Sequence, residues 1–108
     1  HGKPPTFRLL ESKAGKKLLD EHGLRRTLDP FQLRAERKGR VRVNIYQQGI
    51  FELAQPLGSL HMGKKPGHLA VEHNYRGHED RSARLGEFAI ALAEANGLHI
   101  WHNYPKHG

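Results

Sequence analysis

Residues 40–47 read RVRVNIYQ, and their alternation is where the architecture of the chain becomes legible. Val41, Val43 and Ile45 fall on one side of an extended backbone and Arg40, Arg42, Asn44 and Tyr46 on the other, the two-residue period of a strand with one buried face. Gln48-Gly49 follows as a turn, and residues 50–54 are expected to return as the partner strand before Pro56 and Gly58 interrupt it. Further on, a short strand is expected around residues 60–62 and another over residues 69–73. The polar, glycine-flanked loop of residues 63–67 lies between them.

Outside this central block the period lengthens to that of a helix. Phe7, Leu10, Ala14 and Leu18 recur at steps of three or four, with Leu9 and Leu19 widening the stripe, which predicts one helix over residues 6–22 stopped by Gly23 and Leu24. Gly15 costs that helix about 1 kcal/mol relative to alanine, and Lys13, Lys16 and Lys17 form its solvent side. Asp29-Pro30-Phe31-Gln32 is a second start signal, predicting a short helix that closes at Gly39. Near the C-terminus, Asp80 or Ser82 caps a helix whose buried stripe is Leu85, Phe88, Ala89, Leu92 and Ala93, ending at Asn96-Gly97. A last strand is expected over residues 98–102. The expected class is α+β: a small single domain spanning residues 1–108, with N-terminal helices followed by a mainly antiparallel sheet of about four strands and one C-terminal helix packed on it.

Composition narrows the function classes. The chain of 108 residues has no cysteine, which excludes disulfides, thiol nucleophiles and cysteine-ligated zinc. Its longest apolar run, residues 88–93, is far too short to span a bilayer, and no basic-then-apolar leader opens the sequence, so a soluble domain without a membrane span is expected. Met62 is the only methionine, which suggests a chain processed or cut from a longer one. Lys+Arg 18 against Asp+Glu 11 gives a formal charge of +7, and the sequence pI is near 10.1. Residues 1–48 carry 12 basic and 5 acidic side chains, and residues 49–108 carry 6 and 6, so the whole excess lies in the first part. Seven of the nine histidines lie in the second. A basic half beside a titratable half points to a polyanionic partner, nucleic acid foremost.

The titratable groups concentrate in residues 61–80, HMGKKPGHLAVEHNYRGHED. Cleavage of RNA by its own 2′-OH needs a base at that oxygen, an acid at the leaving 5′-oxygen and a cation on the phosphate, all within reach of imidazole, carboxylate and ammonium groups at neutral pH. His68 or His73 is a candidate base and His78 or His102 a candidate acid. Lys65 or Arg76 would clamp the phosphate, Arg76 standing beside Gly77 just ahead of a helix N-terminus. Glu72 would act as base or orient a histidine. Strand alternation puts His73 with Leu69 and Val71 on the core side and Glu72 with Ala70 on the other, so the two should not point together. Alternation likewise separates His99 and Trp101 from Ile100 and His102. Each of these histidines also has an ordinary structural role open to it.

For binding, Arg25, Arg26, Arg40, Arg42, Lys64 and Lys65 are candidates to track phosphates, helped by Arg34, Arg37 and Lys38, while Trp101 or Tyr104 would stack an unpaired base. The leading expectation is a small basic nuclease, RNA favoured over DNA, acting without metal or other cofactor. One alternative is a non-enzymatic nucleic-acid-binding module that uses the basic residues alone. Another is a metal nuclease of the His-Asn-His type on DNA, drawing on His73-Asn74, Asn103 and His107, although the strand-strand-helix order it needs is missing after Asn103. An enzyme acting on a smaller anionic substrate such as a nucleotide is a weaker third. His1 would chelate copper only as a mature N-terminus. HExxH, P-loop, GxSxG and GxGxxG motifs are absent.

In composition the chain resembles the small, basic, cysteine-free nuclease domains at the C-termini of bacterial secreted toxins. The likeness is one of general character. It implies secretion or delivery into a target cell as part of a larger protein, and an acidic inhibitor protein as partner, since the free enzyme would harm its producer.

Overall fold

The computed structural model describes residues 5–27, 43–49, 56–63, 65–74 and 80–104 of the chain. The helix expected over residues 29–39, the return strand at residues 50–54, and Arg40, Arg42, Lys64, Arg76, His78 and His107 lie outside the described residues.

The N-terminal apolar stripe forms two helices where one was expected, α1 (Pro5–Glu11) and α2 (Lys13–Glu21). Ser12 makes the break. Its backbone is extended at ψ 162°, its hydroxyl donates to the Leu9 carbonyl at 2.7 Å, and the same oxygen accepts from the Gly15 amide at 3.0 Å as the N-cap of α2. The tight corner explains Gly15, because a Cβ there would overlap the Leu9 carbonyl oxygen. What reads in sequence as a helix weakened by glycine is a junction that requires one. α2 ends before Gly23 as expected, and Arg84 reaches across to donate to the His22 carbonyl at 3.1 Å, placing a cation at the negative end of the helix.

Directly after this turn comes β1 (Leu24–Thr27), a strand that the hydrophobic pattern does not announce because Arg25 and Arg26 interrupt it. β2 (Val43–Gln47), β3 (Gly58–Met62), β4 (His68–His73), α3 (Asp80–Ala95) and β5 (His99–Asn103) follow. The class is α+β as expected, with five strands rather than four, in the order β1-β2-β3-β4-β5. β1 to β4 pair antiparallel, while β5 joins β4 in parallel after α3 carries the chain back. Gly58 does not break a strand but starts β3. It faces His73 in the register, and a Cβ on it would overlap the Glu72 carbonyl oxygen and press on Leu85.

The three helices of the described residues lie against one face of the sheet. That face contributes Leu24, Val43, Ile45, Leu60, Leu69 and Val71 to the core, closed by Leu10 and Leu19 and by the α3 stripe Leu85, Phe88, Ala89, Leu92 and Ala93 expected from the sequence. Burial of these side chains supplies the main drive for folding. Among the described residues no helix is long and apolar enough to cross a membrane.

Candidate active site on the outer face of the sheet

Because side chains alternate along each strand, the outer face is fixed once the core face is known. Its rows follow from the register. Ser59 on β3 stands beside Glu72 on β4 and Asn103 on β5; His61 stands beside Ala70 and Trp101; His68 stands beside His99. Ala70 is thus the small centre of a cross formed by His61, Trp101, His68 and Glu72. These side chains, with Gly63 and Lys65 from the β3–β4 turn, line a cavity of about 440 Å³.

Glu72 is held from two sides. Asn103 Nδ2 donates to Oε1 at 2.7 Å, and His61 Nε2 lies 3.3 Å from Oε2. His61 is buried, only 4% exposed, and its Nδ1 lies 3.1 Å from the Met62 carbonyl. The His61 ring is thus held between the Met62 carbonyl and the Glu72 carboxylate. His68 donates through Nδ1 to the Pro66 carbonyl at 3.2 Å and stacks on His99 with centroids 5.0 Å apart. That bond leaves Nε2 as the nitrogen able to exchange a proton. Trp101 is 56% exposed, unusual for so large an apolar side chain, and Lys65 is exposed at the rim.

The structure divides the candidate residues between the two faces. Glu72, His68, Lys65 and Trp101 meet at this cavity. His73 and His102 lie together on the helix side, as alternation predicts, with His73 Nε2 2.8 Å from His102 Nδ1 and Tyr104 stacked on His73 at 4.2 Å. Burial, and then the neighbouring His102, push the His73 imidazole from its usual 6.5 down to about 4, against an opposing pull from Glu72. Burial also lowers His102. Neither His73 nor His102 therefore shares the cavity with His68 and Glu72, and Tyr104 stands with His73 rather than beside Trp101. The two arginines of β1 also part: Arg25 lies over the Tyr46 ring at 4.6 Å on the outer face, while Arg26 faces α1 and pairs with Glu11 at 3.4 Å.

His61 and Asn103 are the members that sequence reading did not assign to the acid-base set. The signal for His61 was its alternation with Leu60 and Met62; pairing that strand with residues 69–73 across the loop places it opposite Ala70. Asn103 needed the parallel β4–β5 register, which no local pattern reveals. Among the described residues no group of three or more His, Asp or Glu side chains converges to hold a metal ion. Of the His-Asn-His set, Asn74 donates to the Pro56 carbonyl at 2.8 Å, and His73 and Asn103 occupy opposite faces. Compared with protein-family models, curated proteins and solved structures, the chain finds no match.

Proposed function

We propose that the chain is a ribonuclease that cleaves RNA through the 2′-OH of its own substrate, without a metal, in the outer-face cavity. The observation that carries this reading is the placement of Glu72 and His68 on one face of β4, both lining the same cavity. Four residues of extended strand separate their backbones by about 13 Å, so two side chains leaning inward flank a phosphate set over Ala70. Glu72 accepts the 2′-OH proton as that oxygen bonds to phosphorus. As the bond from phosphorus to the 5′-oxygen breaks, protonated His68 gives its Nε2 proton to the leaving oxygen. The products are a 2′,3′-cyclic phosphate and a 5′-hydroxyl. Lys65 supplies positive charge toward the phosphate, Asn103 and His61 position Glu72, and Trp101 stacks the adjacent base.

The test is incubation of the purified chain with total RNA, transfer RNA and plasmid DNA, with and without EDTA. RNA cleavage that survives EDTA and leaves cyclic phosphate ends is expected. Cleavage lost in EDTA overturns the metal-free mechanism, and intact but retarded nucleic acid in every lane assigns a binding module instead. The basic composition extends the proposal to a toxin domain of a secreted bacterial protein, restrained by an acidic inhibitor that covers the positive surface. A pull-down from the native host that recovers no acidic protein counts against that partner.

A further inference from the structure

We propose that the cavity over Ala70 is a one-nucleotide site that binds a free nucleoside 3′-phosphate, the chemical class left at the new 3′ end once a cyclic phosphate opens. The inference rests on reading this cavity as the RNA site, but it does not require that cleavage occur there. At about 440 Å³ the cavity is of the size that encloses a small ligand rather than a duplex. Its shape comes from one residue. Ala70 is flanked across the sheet by His61 and Trp101 and along β4 by His68 and Glu72, so any larger side chain would fill the centre of the cross. The parts of a nucleoside 3′-phosphate match the rim: the base lies against the exposed Trp101 indole, the ribose hydroxyl beside Glu72, and the phosphate toward His68 and Lys65. Asn103 and the buried His61 keep the Glu72 carboxylate turned to the ribose side.

Trp101 is the only tryptophan in the chain, so its emission reports directly on the site. The experiment titrates the whole chain with uridine 3′-phosphate, uridine and inorganic phosphate, following tryptophan fluorescence, and repeats the series with Ala70→Leu and Lys65→Ala. Saturable quenching by uridine 3′-phosphate is expected, with uridine and phosphate each binding about tenfold more weakly or worse, the loss that one charged contact of about 1.4 kcal/mol represents. Ala70→Leu should abolish quenching while its thermal unfolding stays cooperative. Lys65→Ala, at an exposed position, should bring the nucleotide down toward uridine. If no ligand changes the emission although RNA is cleaved, this inference falls and the ribonuclease reading stands. Quenching without RNA cleavage has the reverse meaning. If Ala70→Leu binds as the unaltered chain does, Ala70 is not the seat of the ligand and the assignment is overturned.

Discussion

A glutamate on an extended strand ordinarily swings among many rotamers, and at Glu72 that freedom is taken away by Asn103 and His61, one at each carboxylate oxygen. In the proposed cleavage, a base aimed in advance would need no reorganisation when the proton moves, which is the property general base catalysis depends on. Glu72→Gln keeps the shape and the oxygen facing Asn103 but has almost no basicity. It should lower kcat on RNA by about 10²–10⁴ while nucleotide still quenches Trp101, its affinity reduced by no more than the one ribose contact; near-normal turnover in this variant would remove Glu72 from the chemistry. Residue identity made part of this legible in the sequence, since alternation alone separates Glu72 from His73 and Trp101 from His102. It could not show which histidine stands beside Glu72. That depends on strand pairing, and His61 reaches the site only because β3 lies antiparallel to β4 with His61 opposite Ala70.

At the scale of elements, β5 is fastened to β4 from both faces. Asn103 grips Glu72 on the outer side, and His102 grips His73 on the helix side, with Tyr104 stacked over it and Gly86 of α3 close behind. Two imidazole nitrogens 2.8 Å apart share one hydrogen, so the bond exists only while the pair is not doubly protonated. His73 sits near 4 when folded and near 6.5 when unfolded. The unfolded chain therefore takes up the proton first as pH falls. Its contribution to stability is complete above pH 6.5, shrinks between 6.5 and 4, and is gone below. Urea unfolding at pH 7 and pH 4.5 should show this loss, and His73→Phe, which retains a ring for Tyr104, should flatten it. An equally steep acid loss in His73→Phe would place the sensitive group elsewhere. The neighbouring elements show why some of the fold was legible and some was not. α3 has an uninterrupted stripe and a clear stop, whereas the α1–α2 break lies in the ψ angle of Ser12 and the extra strand β1 is hidden behind two arginines whose side chains go to opposite faces.

On the scale of the whole molecule, the charge excess and the cavity proposed for the chemistry occupy different stretches of chain. The basic excess lies wholly in residues 1–48, while among the described residues the members of the cavity come from residues 61–103. If the first stretch serves to hold a polyanion, a long RNA should release many counterions on binding, and a mononucleotide seated at Lys65 and His68 should release one or two. For single strands the slope of log affinity against log salt is about −0.7 for each phosphate neutralised. Polynucleotide affinity should therefore fall steeply as salt rises, and uridine 3′-phosphate affinity should change little over the same range. The Trp101 signal measures both ligands in the same protein. Lys65→Ala should reduce the polynucleotide slope by about one phosphate contact and leave the remainder, because most of that slope belongs to residues away from the cavity. Two equally shallow slopes would mean that RNA touches only the cavity and that the basic half serves another partner. A steep slope for the polymer alone would assign affinity to the N-terminal charge and set it apart from the cavity where cleavage is proposed.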